Sequence, residues 1–361
     1  METTQEIHSR IIPHSISIPE TESIETGPRT IVYYQQELKK MLPKSVFERN
    51  PTRSLYTFSF LALNITIVSF FFAFEMSWPV KLVLGMMLGL FNAGMTFMAH
   101  EALHGSVFKS PLLQDLLGYL GFGPFLVSPT YWKYWHNFLH HGHTQLLIKD
   151  PDAFPTLSVY KRSVFMKRLF NFTPGSQKVV SYFYFFYWFS LQAFLNQSYM
   201  RFGNKMWDKM NHRRVSIEFG FLIICMASYL YLIGLQHILW LAIIPFFVQN
   251  YVVISYITTN HNLSPLTKVN DPLENSLTVT NHPVWEFLHL NFGYHVENHI
   301  FPRMSCAYTK QVHHLLRTHF SSTYKFMPKS EAIKKLYQTP RIYNQKNELI
   351  HPHTLKTYPT L

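Results

Sequence analysis

The stretch Tyr182-Phe-Tyr-Phe-Phe-Tyr-Trp-Phe-Ser-Leu-Gln-Ala-Phe-Leu195 opens with eight consecutive aromatic residues. Whether it crosses a membrane decides the topology of the whole chain. Four other runs, at about residues 55–75, 80–98, 215–233 and 238–258, are long and apolar enough to span. A run of about 20 residues at ~1.5 Å each covers a hydrocarbon core of ~30 Å. The segment after Leu195 carries Arg201, Lys205, Lys209, Arg213 and Arg214, and the segment before it, Lys149–Lys178, is also basic. Basic flanks belong on the cytoplasmic side, so both ends of 182–195 fall on one side and the stretch reads as an interfacial belt helix. The connector Gly234-Leu235-Gln236-His237 has no Lys or Arg, as a turn on the far side should.

The remaining segments fit this frame. Residues 1–30 are a polar tail with Pro13, Pro19 and Pro28, and residues 31–50 suit a surface helix. Met1–Arg10 carries Glu2 and Glu6 and no apolar core, so the N-terminus is expected to stay cytoplasmic. Residues 112–130 are apolar but contain Gly118, Gly121, Gly123 and Pro124, which predicts a broken, re-entrant or interfacial segment. Gly85, Gly89 and Ala93 form a small-residue stripe that lets a neighbouring helix approach the second span. Gln249 and Asn250 in the fourth span are expected to face the protein interior. The net charge of +12, from 32 Lys+Arg against 20 Asp+Glu, follows from basic loops beside apolar runs and points away from nucleic acid. Two cysteines, Cys225 and Cys306, exclude a disulfide framework and a thiolate metal site.

With four spans, every histidine cluster emerges on one face. His100 and His104 follow the second span. His136, His140, His141 and His143 crowd into Trp135–His143, and His136 and His140 share a face if that stretch is α-helical. His261 follows the fourth span, and His295 and His299 lie in the C-terminal region. A fifth span at 182–195 would split these clusters between two faces. Buried imidazoles need partners for their nitrogens, and metal ions are the partners that want several neutral ones together. His143 sits beyond Gly142 and drops out of the ligand set. His313, His314 and His319 read as surface residues of an amphipathic helix. A membrane metal transporter would need ligands at mid-membrane rather than beyond the span ends. A zinc hydrolase needs only three or four.

The ordered boxes His100-Glu-Ala-Leu-His104, His136-Asn-Phe-Leu-His140-His141 and His295-Val-Glu-Asn-His299 resemble those of the membrane-bound fatty acid desaturase superfamily. Gly293-Tyr294 and Ile300-Phe301-Pro302 match the surroundings of the third box. The resemblance covers roughly residues 55–305. It implies an all-α membrane protein: four transmembrane helices in two hairpins, under a cytoplasmic helical cap that carries a histidine-rich dinuclear site. The domain at 31–305 would be catalytic, with 306–361 a cytoplasmic extension.

By position, the implied ligands of two Fe ions are His100, His104, His136, His140, His141, His295 and His299. His261 matches an extra ligand placed just after the last span. Asn298 departs from the pattern, standing where the family has the first histidine of its final pair, and could offer its carbonyl oxygen. His289 is a possible compensating imidazole. Glu101, Asp150, Asp152, Glu297 and Asp271 are scarce acids near the boxes, able to orient metal-bound imidazoles. Tyr131, Trp132, Tyr134, Trp135 and Trp285 are expected as tunnel walls.

The implied reaction is O2-dependent desaturation of a fatty acyl lipid or acyl thioester drawn from the bilayer. A lipid or carotenoid hydroxylase or ketolase would use the same irons. No haem-binding His-Pro-Gly-Gly and no Gly-rich dinucleotide fingerprint occurs in the sequence. Electrons are therefore expected from a separate ferredoxin- or cytochrome b5-like donor, steered by the basic cytoplasmic face.

Overall fold

The computed structural model describes residues 29–345 and 347–361, so the polar tail lies almost wholly outside the described residues. The chain is mostly helical. Among the described residues, four helices are long and apolar enough to cross a membrane: Pro51–Ala73, Trp78–Leu103, His212–Ile233 and Leu239–His261. The second and fourth are each 56% buried within the protein, against 28% and 17% for the first and third, so the second and fourth form the centre. Their outer neighbours turn Phe58, Ile65, Ile217 and Ile224 outward, the apolar surface a lipid environment accepts.

Local chemistry explains the ends of these helices. Pro79 opens the second span, where its missing N–H costs nothing. Asn211 caps the third by accepting from Arg214 N at 3.0 Å, and Gly234 ends it at a φ of 69°. In the fourth, Pro245 cannot donate to the carbonyl four residues back. That carbonyl, on Leu241, instead accepts the Tyr229 hydroxyl at 2.9 Å, which ties the third span to the fourth. The backbone beside it winds as a π turn over Leu239–Ile243.

The small-residue stripe does what its spacing predicts. A Cβ on Gly85 would stand 2.6 Å from the Trp240 carbonyl oxygen, and one on Gly89 would stand 2.7 Å from that of Pro245. Gln249 then donates to Thr96 Oγ1 at 2.9 Å across the same contact. Because backbone atoms cannot yield, Gly89→Val is expected to cost about 1–3 kcal/mol. It should show as a lowered thermal midpoint of the detergent-purified protein.

The helix Tyr184–Leu195 continues as a π-helix to Met200, and this run is not among the four described helices long and apolar enough to cross a membrane. It packs on the fourth span, with the Ser190 hydroxyl donating to Asn250 Oδ1 at 2.9 Å. The segment 112–130 differs from expectation. Gly118 and Gly121 do not break it: Pro111–Phe122 is one continuous helix, and the break falls at Gly123 and Pro124. A Cβ on Gly121 would stand 2.3 Å from the Met95 carbonyl oxygen, so glycine there brings the helix against the second span. Only past Phe122 does the chain turn, through Gly123–Phe125 and Leu126 at a φ of 57°.

Two small sheets correct the all-α expectation. Thr278–Thr280 pairs in parallel with Phe326–Pro328, and Tyr343–Gln345, Glu348–Ile350 and Thr357–Pro359 form an antiparallel three-stranded sheet. The first pair backs the third histidine box, because the Val279 carbonyl leaves no room for a side chain at Gly293. The helix Lys329–Gln338 buries Ala332 and Leu336 in the same core as Val253 and Tyr256 of the fourth span. Residues 306–361 thus pack against the helices that carry the histidines.

Candidate metal centre

The second and fourth spans end at the site. His100 lies near the end of the second span and His104 caps it, while His261 is the last residue of the fourth. The short helix His295–Ile300 adds His295 and His299 one turn apart. The middle box behaves differently from an α-helix. Lys133–His140 winds as a π-helix, whose turn closes over five residues rather than four. His136 and His141, five apart, therefore converge, while His140 is directed elsewhere although its ring stacks 5.2 Å from that of His136.

The result is two quartets, His100/His104/His136/His141 and His140/His261/His295/His299, each with its candidate nitrogens within 4.8 Å of one another. In the first, His136 Nε2 lies 2.9 Å from His100 Nε2 and 3.1 Å from His141 Nε2. In the second, His261 Nε2 lies 3.1 Å from His140 Nε2 and 2.7 Å from His295 Nε2, which is 3.1 Å from His299 Nε2. The rings of His141 and His299, one from each quartet, stack at 4.1 Å. Four nitrogens bound tetrahedrally at about 2.1 Å from one ion stand about 3.4 Å apart, so the quartets have the scale of metal sites.

Burial and the neighbouring imidazoles hold His104, His136, His141, His295 and His299 well below the ordinary histidine range. They are neutral, the form that binds metal. His140 moves the other way: burial pulls it down, but Asp150 and Asp152 outweigh burial and raise it.

Asp150 and Asp152 both stand beside His140. Asp150 Oδ1 is 3.0 Å from His140 Nδ1, and its other oxygen accepts from Gln145 N at 2.8 Å. Asp152 is 3.5 Å from the same His140 nitrogen and accepts from Trp135 Nε1 and Gln192 Nε2. Its carboxyl is pushed up to about 6 by burial. Carboxylates that fix a ligating imidazole tune metal affinity, so Asp150→Asn is expected to weaken metal retention by about 10–100-fold. Chelator competition measures this.

Four of the expected acids and bases go elsewhere. Glu101 points away from the quartets and holds Arg53 through both oxygens, together with Ser305 Oγ and Cys306 N. Glu297 accepts from Thr278 Oγ1, the Tyr324 hydroxyl and His313, so His313 is half-buried and engaged rather than a free surface residue. His289 accepts the Tyr256 hydroxyl and joins neither quartet. Asp271 accepts from Arg29 N and the Tyr34 hydroxyl. His143 bonds the Leu139 carbonyl. Asn298 is buried, and its Oδ1 has no hydrogen-bond partner among the described residues. Because each quartet already has four imidazoles, Asn298→His is expected to leave activity within about threefold of the native chain, as measured by product formation at equal metal loading.

Sequence reasoning missed three supports: Thr144 beside His299 Nδ1 at 3.3 Å, Ser276 beside His261 Nδ1 at 3.4 Å, and Gln145, which donates to the His261 carbonyl. Nothing in their local sequence marks them.

A narrow, mainly apolar cleft of about 30 Å³ is walled by both quartets. Phe97, Phe122, Trp132, Trp135, Phe189, Val253, Ile257 and Phe292 line it, with His100 and His136 from one quartet and His140, His261 and His295 from the other. Trp132 and Trp135 are wall residues as expected. Tyr131 instead stacks on Trp207, Tyr134 donates to the Met206 carbonyl, and Trp285 stacks on His289. On another side, a cavity of about 500 Å³ opens beside His104 and His141 and is lined by Arg49, Lys133 and Arg303.

A family model described as fatty acid desaturase matches residues 76–329. Among curated proteins, the chain is 22% identical over 325 residues to the chloroplastic omega-6 fatty acid desaturase of Spinacia oleracea, covering 86% of this chain and 69% of that one. It is 21% identical to the Arabidopsis thaliana protein of the same description, covering 77% and 62%. With the sn-1 acyl-lipid omega-3 desaturase (ferredoxin) of Synechocystis it shares 26% identity over 161 residues, 44% of each chain. The chain thus spans less than two thirds of the length of the second and third of these relatives.

Proposed function

The chain belongs to the fatty acid desaturase family, a family of oxidoreductases, and from that premise we propose that it introduces a double bond into a fatty acyl chain with O2, using two iron ions held by the two quartets. The single observation that carries this reading is the apolar cleft whose wall both quartets share. Bound iron supplies the redox chemistry that no side chain offers for unactivated methylenes. Two adjacent methylenes lose one hydrogen each. With two electrons and two protons from a donor, O2 becomes two waters.

The chain's own residues do the rest. Phe97, Phe122, Trp132 and Phe292 keep water from the quartets and offer an entering acyl chain only apolar contact. Asp150 fixes the ring of His140, and Thr144 and Ser276 do the same for His299 and His261. Asn298 is available to offer an oxygen as a further ligand.

The four spans form two hairpins, with both termini and the metal centre on the cytoplasmic side. The basic run Arg201–Arg214 and the uncharged connector Gly234–His237 support this orientation. Residues 31–305 form the membrane-bound catalytic domain, and 306–361 form a cytoplasmic extension docked on it. The electron donor is a separate ferredoxin- or cytochrome b5-like protein. The basic cavity beside His104 and His141 supports an acidic partner, and one relative carries ferredoxin in its name.

Expression in a host with its own donor, followed by lipid profiling, tests the reading. A new double bond in the acyl chains is expected. A hydroxylated or keto product would contradict it.

A further inference from the structure

The two quartets differ in what lies outside them. In the first, His104 and His141 form part of the wall of the cavity of about 500 Å³, which Arg49, Lys133, Asn137 and Arg303 also line. No histidine of the second quartet lines that cavity. Exposure follows the same division: His104 and His141 are 6% and 8% exposed, against 1 or 2% for His140, His261, His295 and His299.

The backs of the rings explain why the second quartet is closed. His140, His261 and His299 turn their Nδ1 atoms onto Asp150, Ser276 and Thr144, and all three partners are buried. This quartet also borders the cleft of about 30 Å³ walled largely by aromatic rings. That space is too small for a multidentate ligand, and a charged group entering it would lose its hydration without gaining a partner.

The cavity beside the first quartet has the opposite character. It is wide enough for a small polydentate molecule, and its charge has one sign: no Asp or Glu lines it. Lys133 is engaged by Asp115 at 2.6 Å. Arg49 gives its Nε to the Gly105 carbonyl at 3.2 Å, and its terminal nitrogens have no partner among the described residues. Arg303 is exposed and makes no ion pair among the described residues. Cations grouped around an opening raise the local concentration of anions, and a guanidinium offers a carboxylate paired N–H groups.

We propose that this cavity is an anion-selective port to the metal of the first quartet. Small carboxylate ligands reach that metal past Arg49 and Arg303 and can take it away, while the metal of the second quartet is closed to them. This rests on the reading that each quartet holds one ion.

The full-length purified protein, carrying its metal, is held in dithionite with excess EDTA, desalted at intervals, and its metal counted by mass spectrometry. One ion is expected to leave first. The other is expected to leave at least about tenfold more slowly, because its release waits on local opening of the fold. The fast ion should be missing from His104→Ala and the slow one from His261→Ala, which assigns the phases. Reversing the charge at the rim, with Arg49→Glu and Arg303→Glu together, is expected to slow EDTA at the fast ion about tenfold or more, and to leave removal by the uncharged chelator bipyridine within about twofold. The unchanged bipyridine rate certifies that the variant is folded. Release of both ions in one phase, a fast phase that persists in His104→Ala, an EDTA rate indifferent to the charge reversal, or equal slowing of both chelators overturns the port and leaves the two-quartet reading intact. Fewer than two ions per chain at the outset overturns both.

Discussion

Replacing His261 with alanine is expected to lower acyl desaturation at least about 100-fold while His143→Ala stays near the native rate. The two residues look alike in sequence, since each stands just outside a box pattern or at its edge. The structure separates them. His261 Nε2 faces His140 and His295 at 3.1 and 2.7 Å, so its loss leaves one quartet with three imidazoles. His143 spends its Nδ1 on a backbone carbonyl one turn back. Lipid profiles from cells expressing each variant at matched protein levels check the difference. Near-native product from His261→Ala would remove it from the metal centre.

The second large effect concerns folding. Arg53→Met is expected to destabilise the protein by about 3–5 kcal/mol, because it leaves the Glu101 carboxylate buried without its counter-ion. Glu101 is 1% exposed, and the guanidinium reaches it at 2.9 Å. Ser305 Oγ and Cys306 N also bond that carboxylate, so the pair clamps the start of the first span and the segment after the third box to the helix that carries His100. The double variant Arg53→Met, Glu101→Gln, which removes the charge with its partner, is expected to recover most of the loss. Yield and thermal midpoint of the purified protein measure both. A single variant as stable as the native chain would show that solvent reaches the carboxylate.

Much of this architecture was legible from residue types. Apolar length found the four spans to within a few residues at either end, and the basic flanks around Tyr182–Leu195 argued against counting a fifth. Glycine spacing at Gly85 and Gly89 foretold a close helix contact, though not that its partner is the fourth span. All eight histidines of the quartets could be named beforehand.

Their division could not. Periodicity assumed an α-helix through His136–His141, and no local signal marks the π winding that pairs His136 with His141. The acids divided by the face they occupy. Asp150 and Asp152 reach His140 across a turn, whereas Glu101 and Glu297 sit beside box histidines in sequence but point away from them on their helices, into ion-pair and hydrogen-bond networks with distant segments. Those partners, Arg53, Ser305 and Tyr324, are set by tertiary packing. The glycines at 118 and 121 misled for the same reason: they serve contact with the second span rather than a break in their own helix.

The central claim is that eight imidazoles, divided four and four, hold two iron ions. The most direct test is the metal content of the full-length protein purified without chelators, measured by mass spectrometry against protein concentration. Two irons per chain are expected, falling to about one in His261→Ala and in His104→Ala alike. A single zinc per chain, or retention of both irons by either variant, would contradict the account.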